Sequence, residues 1–393
     1  MKSIAGLFSL ILFAFCLPPG NILFVFFSHE MAFDIGKVIT LILFFYWVLF
    51  YFVFGDNKSV PVYAWFFLMP ILSYVIIGIY HSEFSGAIIG VMRFIALFFS
   101  VVVAFNLIKN NNERCDLFIV CFFVFAAICV WIGLLVSFYF PDGIWQFTNP
   151  DGRVSNYYLL STSNAIYEFS GLIFPRMAFF FDEPGTYGAF SLLALIYMKL
   201  TNKSKYAQAI VLTSGIATFS LGFIFPVLCL FLFDTIKLRS FVFLFFCFFV
   251  FYFIYVNFPA IAIVADNMLF GRVESILSDG SGDTRSAVTR TALNLFFDNP
   301  IWGVGFNQDG IYDFFGANIF FYLAMGGVVF SLCYLPLIYL LGCFFYRRLF
   351  GMLCSLLLLY IQRPDFLMPY SVVFTSFCVF VCLKKIGIGR YVG

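Results

Sequence analysis

The sequence has few charged residues and almost no histidine. Charged side chains make up 11% of its 393 residues against 63% hydrophobic residues, and His29 and His81 are the only histidines. Soluble domains carry roughly 25% charged residues, so this composition excludes a water-soluble globular protein. Both histidines fall at short predicted turns and neither belongs to a cluster with the spacing of a metal site, so the sequence predicts no metal site.

Several functional motifs are absent as well. The chain has no Gly-rich nucleotide-binding loop, no Ser-His-Asp candidate and no C-x-x-C pair among its 11 cysteines. Most of the cysteines lie within apolar runs, where they are interpreted as small packing residues. We therefore expect no nucleotide, metal or other cofactor, and no nucleic-acid partner.

Apolar runs of about 20 residues recur along the whole chain, which is the length that crosses a bilayer as an α-helix. The runs are continuous rather than alternating, so membrane-spanning strands are not expected. The sequence predicts an all-α, polytopic membrane bundle that forms one domain over residues 1–393. About 12 spans are expected, at residues 3–27, 35–54, 61–80, 87–108, 115–140, 185–200, 207–219, 221–236, 241–262, 317–346, 349–362 and 366–383.

The positive-inside rule orients these spans. If the stretch 207–236 is two helices, Lys237 and Arg239 fall on the same side as most other lysines, as the rule requires. Both termini are then cytoplasmic. The two long loops, 141–184 and 266–316, both face outward.

Arginine departs from this sidedness while lysine obeys it. Nine of the ten lysines fall on the cytoplasmic side. Arginine, unlike lysine, binds phosphate or carboxylate in a bidentate manner, so an outward excess of arginine suggests an anionic ligand. The outward arginines are Arg153, Arg176, Arg272, Arg285, Arg290 and Arg363.

The first long loop ends in FPRMAFFFDEPGTYGAF, where Asp182 and Glu183 precede the return into the membrane. A carboxylate pair at the hydrocarbon edge is costly unless it is paired with a cation or used for proton transfer. On a helix, Arg176 would share a face with Glu183. A structural salt bridge at the loop mouth and a catalytic carboxylate both remain open.

The second long loop contains GSGDTRSAVTRTALNLFFDNPIWGVGF. Asp283 is a good N-cap, and an amphipathic helix is predicted to end at Asn299-Pro300. Helical angles put Arg285 on the apolar face, toward the protein, and Arg290 on the opposite face, where a solvated surface charge is the simpler interpretation. The apolar stripe consists of Val288, Ala292, Leu295 and Phe296.

Two further arginines are candidates. Arg93 lies within the fourth predicted span, and an arginine inside a membrane marks a functional site unless it pairs with a carboxylate on a neighbouring helix. Arg363 and Asp365 lie together in the last outward turn, where they could neutralise each other. An arginine cluster suits a pyrophosphate, and a nearby carboxylate could deprotonate a hydroxyl nucleophile. Together these groups suit glycosyl transfer from a lipid diphosphate.

The two loop motifs, with ANIFFYLAMGGVVF after them, resemble the O-antigen polymerase and ligase superfamily of the Wzy type. The resemblance implies a GT-C-like membrane glycosyltransferase. Such proteins polymerise or transfer undecaprenyl-diphosphate-linked oligosaccharides at the periplasmic face, without metal or nucleotide sugar. It also implies that Arg176 and Arg285 bind the diphosphate, with Glu183 in or beside the site. A chain-length regulator and a flippase of the same pathway are the implied partners.

One position departs from the family pattern. Ligase-like members carry His-Asn before the next span, and here the pair is Ala317-Asn318, which favours a polymerase with Glu183 as the base and Asp182 or Asp283 as substitutes. A ligase acting on lipid A-core and a flippase for lipid-linked glycans remain the alternatives. The candidate catalytic residues are Glu183, Arg176 and Arg285, and the candidate substrate-binding residues are Asp182, Asp283, Arg290, Arg363, Arg93 and Asn318.

Overall fold

Helices account for most of the chain in the computed structural model. The expected ninth span, 241–262, lies almost wholly outside the described residues, as do Asp283 and Ala317. The structure describes residues 2–17, 20–52, 60–110, 112–149, 152–164, 166–169, 172–234, 249, 255–257, 284–306 and 318–385.

The helices are numbered in chain order. They are α1 Lys2–Cys16, α2 Ile22–Phe26, α3 His29–Phe52, α4 Val62–Trp65, α5 Met69–Tyr80, α6 Phe84–Asn110, α7 Asn112–Ser137, α8 Pro184–Leu200, α9 Lys205–Ile216, α10 Leu221–Asp234, α11 Thr284–Asp298, α12 Phe321–Gly326, α13 Leu335–Tyr346, α14 Phe350–Gln362 and α15 Pro369–Lys385. The 3-10 segment Gly327–Tyr334 joins α12 to α13, and the 3-10 segment Asp365–Leu367 joins α14 to α15.

Long apolar helices make this a helical membrane protein. Five stretches are long and apolar enough to cross a bilayer: His29–Leu49, Val62–Tyr80, Phe84–Lys109, Glu113–Ser137 and Phe321–Tyr346. Shorter apolar helices accompany them, among them Ala5–Cys16 and Pro369–Lys384. The described part of the stretch 207–236, residues 207–234, lies in two helices, α9 and α10, separated by a turn in which Phe219 has a φ of 47°.

Helix α8 lies at the centre of the bundle. All of its residues except Lys199 are buried, because α7, α9, α10 and α15 pack around it. A helix that is apolar on all sides is expected in such a position. The residues at the start of α8 are therefore held within the bundle, and they include the Asp182-Glu183 pair of the first loop motif.

The first loop contains strands, which the all-α prediction does not include. Strands β1 Trp145–Thr148, β2 Val154–Tyr157 and β3 Thr162–Ser163 form an antiparallel sheet in that order. Strands β4 Ile166–Phe169 and β5 Leu172–Pro175 form a hairpin. These strands have two to four residues each, too few to give an alternating pattern in the sequence.

Arg176 and Glu183 do not lie on one helix, the arrangement in which they would share a face. Residues 176–183 are extended and turn-like, because their backbone pairs with distant segments. The amide of Thr162 donates to the carbonyl of Phe179 at 2.7 Å, and the side chain of Asn21 donates to the carbonyl of Phe181 at 2.7 Å. Arg176 and Glu183 consequently do not share a helix face.

Helix α11 spans Thr284–Asp298, close to the predicted bounds. Ala292 is buried and Arg290 is exposed on the opposite face, as the helical angles predict. The WGVGF segment that follows α11 docks on the turn between α5 and α6. There Trp302 stacks on Tyr80 with ring centroids 4.6 Å apart, and Glu83 accepts a hydrogen bond from the amide of Phe306.

Candidate functional site

Glu183 lies between two arginines at the start of α8. Its Oε1 accepts from Nη2 of Arg153 at 2.8 Å, and its Oε2 pairs with Nη2 of Arg363. Arg363 is buried in the turn between α14 and α15, whereas Arg153 is half exposed. Burial opposes ionisation of Glu183, but the two guanidinium groups outweigh it and hold the pKa of this carboxyl well below its usual range.

Asp182 has a different environment from its neighbour. Its Oδ1 accepts a hydrogen bond from the Thr186 hydroxyl at 3.0 Å, and its backbone carbonyl accepts from the side chains of Asn149 and Asn164. Burial, with the negative charge of Glu183, raises the pKa of Asp182 to about 8. The neighbouring carboxyls are thus shifted in opposite directions.

Arg363 connects the two carboxyls through Thr186. Its Nη1 donates to the Thr186 hydroxyl oxygen at 2.9 Å, and that hydroxyl donates to Asp182. Gly185 allows this close approach, because a Cβ at this position would lie 2.6 Å from Nε of Arg363. Asp365 adds a further negative charge nearby and accepts a hydrogen bond from Tyr370 at 2.8 Å.

An apolar cavity of about 790 Å³ adjoins this cluster. Asp182 lines it on one side, and Arg93 and Lys37 are the cationic residues of its wall. Ile88 and Ile89 of α6 line the cavity and are largely exposed, so the cavity opens at the outside of the bundle. The site therefore combines an apolar chamber with two cations and one carboxyl.

Arg93 stands on α6, roughly 14 Å along the helix from Phe84. Its Nη2 donates to the Leu367 carbonyl at 3.2 Å and approaches the Met368 sulfur at 3.3 Å. Among its described contacts there is no carboxylate, so the interpretation of Arg93 as one half of a helix-to-helix ion pair finds no support here.

Arg176 binds the end of another helix. Its Nε donates to the Thr218 carbonyl at 2.8 Å, and its Nη2 donates to the Phe219 carbonyl at 3.3 Å, in the turn that follows α9. A cation at the C-terminal end of a helix is favoured by the helix dipole. These contacts suit a structural role, and the diphosphate-binding role that the resemblance implies stays a prediction.

The remaining candidates lie on or beside α11. The backbone of Arg285 belongs to α11, and Arg290 is exposed on that helix. Asp283 lies outside the described residues. Asn318 is buried, donates to the Val288 carbonyl at 3.2 Å and accepts from the Phe320 amide at 2.9 Å, so it joins α11 to the start of α12.

Sequence reasoning counted Arg153 among the outward arginines without placing it in the site, and it did not select Thr186 or Lys37. Arg153 meets Glu183 from 30 residues away, across a loop whose strands gave no signal. Thr186 lies one turn into α8 and looks like an ordinary helix residue. Lys37 did have a signal, since it is the one lysine that the predicted topology leaves on the outward side.

Within the described ranges, no group of three or more His, Cys, Asp or Glu side chains is arranged to hold a metal ion. Comparison of the chain with protein-family models, with curated proteins and with solved structures finds no match. The site's own geometry and the loop motifs are therefore what bears on function.

Proposed function

We propose that this protein is a membrane glycosyltransferase that joins polyprenyl-diphosphate-linked oligosaccharides into a surface polysaccharide. The O-antigen or a related repeat-unit polymer is the product, and undecaprenyl diphosphate is the lipid carrier. The reaction needs no nucleotide sugar. The chain acts in the bacterial inner membrane, with its active site on the periplasmic side, and works beside the flippase and the chain-length regulator of the same pathway.

The proposed topology has 12 spans with cytoplasmic termini and outward loops at 141–184 and 266–316. The charge pattern supports it, because lysines such as Lys109 and Lys203 fall at the end of the bundle away from Glu183. Asp116 pairs with Lys203 at that opposite end. Arg153 and Arg363, which both pair with Glu183, fall at the outward end of the bundle.

The observation that carries the proposal is the apolar cavity beside the carboxyl pair, which opens at the outside of the bundle. Its volume lies within the roughly 300–1,000 Å³ of small-molecule sites. An apolar wall suits the first isoprenoid units of a lipid carrier, while the rest of the chain stays in the bilayer. Arg93 and Lys37 would hold the diphosphate, since guanidinium and ammonium groups bind phosphate oxygens through charge-assisted hydrogen bonds.

The proposed chemistry is a direct displacement. A hydroxyl oxygen of the acceptor glycan attacks the anomeric carbon of the donor, while the bond from that carbon to the phosphate oxygen breaks. The electron pair of that bond leaves with the polyprenyl diphosphate, whose charge the arginines stabilise. A carboxylate takes the hydroxyl proton. A single displacement inverts the anomeric centre.

Helix α11 is proposed to complete the site. It carries Arg285 and Arg290, and it is fixed to the bundle through Asn318 and the WGVGF segment. The resemblance assigns the diphosphate to Arg285 and Arg176. Because Arg290 is exposed on the same helix, it provides a matched control for Arg285.

Deletion of the gene tests the proposed activity. Surface glycan from the deletion strain is separated on a gel and compared with that of the parent strain. A single repeat unit attached to its acceptor is expected, because repeat units would still be made, transported and attached. Long unattached chains would instead indicate a ligase, and glycan retained in the cytoplasm would indicate a flippase; either result contradicts the proposal.

Complementation of the deletion strain tests the arginines. Arg285→Ala and Arg176→Ala are expected to leave single repeat units, while Arg290→Ala is expected to restore most of the ladder. Immunoblots of membranes control for protein level. Normal ladders from both Arg285→Ala and Arg176→Ala would show that Arg285 and Arg176 are not part of the site.

A further inference from the structure

Of the two neighbouring carboxyls at the start of α8, only Asp182 has an oxygen without a hydrogen-bond partner among the described residues. Both oxygens of Glu183 are engaged by guanidinium groups, Oε1 by Arg153 and Oε2 by Arg363. Asp182 uses Oδ1 to accept a hydrogen bond from Thr186. Its Oδ2 has no hydrogen-bond partner among the described residues, and this oxygen is not fully buried. Asp182 is also the carboxyl that lines the cavity.

A base must have an accessible lone pair and must lie within reach of the proton that it removes. Glu183 fails the first condition, because releasing one of its oxygens would break an ion pair with an arginine. The guanidinium groups also stabilise its charged form, which weakens it as a proton acceptor. Asp182 meets both conditions, since its Oδ2 is open and it borders the chamber proposed for the substrate.

The charged groups around Asp182 set its basicity. Glu183 and Asp365 disfavour its anion, Arg363 favours the anion, and the Thr186 hydroxyl donates to it. Arg93 and Lys37 stand on the cavity wall, on α6 and α3. Burial dominates and raises the pKa of Asp182 to about 8, close to the pH at which a general base is most effective.

We infer that Asp182 is the catalytic base of the proposed glycosyl transfer, and that Glu183 is a positioning residue that holds Arg363. This inference rests on the proposed function. In the step, Oδ2 of Asp182 takes the proton of the acceptor hydroxyl as the oxygen bonds to the anomeric carbon. The proton then leaves to water when the product departs, which restores the carboxylate.

The test uses the purified full-length protein in liposomes with an undecaprenyl-diphosphate-linked oligosaccharide. Transfer rates are measured at saturating donor from about pH 6 to about pH 9. For the wild type, the rate is expected to rise about tenfold per pH unit and to level off near the pKa of Asp182, about 8. Asp182→Asn is expected to lower the rate by about 100-fold or more and to abolish this inflection.

Two variants that keep Asp182 distinguish a base from a structural carboxyl. Glu183→Gln removes a negative charge and releases Arg363, so the inflection is expected at lower pH. Thr186→Val removes a donor to the carboxylate, so the inflection is expected at higher pH. If Asp182 had only a structural role, the inflection would stay at the wild-type pH in both variants. Because both variants keep Asp182, they test its role as a base even if Asp182→Asn fails to reach the membrane.

The outcomes separate the two proposals. If the wild type transfers glycan and Asp182→Asn does so at a similar rate, or if neither Glu183→Gln nor Thr186→Val moves the inflection, the assignment of Asp182 is overturned and the proposed function stands. If the wild type makes no polymer from a donor that it binds, the proposed function fails and the base assignment fails with it.

Discussion

Arg363 and Glu183 form an ion pair across 180 residues of sequence, joining the turn before α15 to the start of α8. Arg363 is almost fully buried, and Glu183 sits at the N-cap position of a helix that is enclosed on all sides. The same guanidinium reaches Thr186, the hydrogen-bond partner of Asp182. The positions of both carboxyls therefore depend on one cation from a distant part of the chain.

Removal of Glu183 should destabilise the protein. Glu183→Gln leaves the buried Arg363 without its main counter-ion, and breaking a buried pair in this way typically costs about 3–5 kcal/mol. Asp34→Asn is the matched control, because the Asp34 to Lys37 pair is exposed on both sides and is expected to contribute less than about 1 kcal/mol. Thermal unfolding in detergent measures the difference. Equal melting temperatures for the two variants would contradict the structural importance of the Arg363 pair.

Gly185 should be required for the position of Arg363. In Gly185→Ala the new Cβ would meet the guanidinium, so Arg363 must move away from Glu183. We expect a lower melting temperature and less glycan polymerisation in the complemented deletion strain. Gly342→Ala is the control, because a Cβ there meets nothing within 4 Å, and alanine in a helix interior is favoured over glycine by roughly 0.5–1 kcal/mol. Similar behaviour of the two variants would argue against this contact.

Gly305 should be required for docking of the WGVGF segment. It has a φ of 88°, and a Cβ there would lie 2.8 Å from the Glu83 carboxylate that holds the Phe306 amide. Gly152 has a similar φ, 81°, but open space around it. Gly152→Ala thus reports backbone strain alone, about 1–2 kcal/mol, and Gly305→Ala should lower the melting temperature further. A melting temperature for Gly305→Ala no lower than that of Gly152→Ala would show that the Glu83 contact does not hold the segment.

Arg93 should hold the anionic headgroup of the lipid. Arg93→Ala is expected to weaken binding of undecaprenyl diphosphate by about 10- to 100-fold, the range of roughly 1.5–3 kcal/mol for a hydrogen bond to a charged group. Arg93→Lys should recover part of this loss, because the charge remains while the bidentate geometry is lost. Binding is measured by competition against a photoreactive lipid diphosphate. Undecaprenol, which lacks the phosphates, should bind equally to the wild type and to both variants; a loss of undecaprenol binding would point to damage of the cavity instead.

The stability of the protein should depend on pH through Asp182. Its pKa is about 8 in the folded protein and roughly 3.9 in an unfolded chain, so the folded state holds a proton that the unfolded state releases between these values. The resulting stabilisation is complete below the lower value and is lost as the pH rises to about 8. The melting temperature of the wild type should therefore fall from about pH 5 to about pH 8 by more than that of Asp182→Asn. Glu183 has a lowered pKa and is ionised in both states over this range, so it adds no slope. Parallel curves for the two proteins would show that Asp182 is not protonated in the folded state.

The sequence was a good guide wherever a signal lies within one segment. Each long apolar helix can be identified from its own composition, and the bounds of α11 follow from a local apolar stripe and from Asn299-Pro300. The strands of the first loop could not be found, because two to four residues carry no period and gain their hydrogen bonds from distant partners. The extended conformation after Arg176 has the same cause.

The candidate site shows the same division. Asp182, Glu183, Arg93 and Arg363 stood out because charged groups are costly near hydrocarbon. Which carboxyl pairs with which arginine depends on how α8, α14 and the first loop pack, and that packing cannot be inferred from spacing in the sequence. The opposite pKa shifts of Asp182 and Glu183 follow from those pairings and from burial.

Reconstitution gives the most direct test of glycosyl transfer from a lipid diphosphate. The purified protein is placed in liposomes with an undecaprenyl-diphosphate-linked oligosaccharide as the only glycan, and products are separated by size. We expect a ladder of polymers, with one undecaprenyl diphosphate released for each linkage formed. A donor that is bound but is recovered unchanged, with no lipid diphosphate released, would show that the protein is not this transferase.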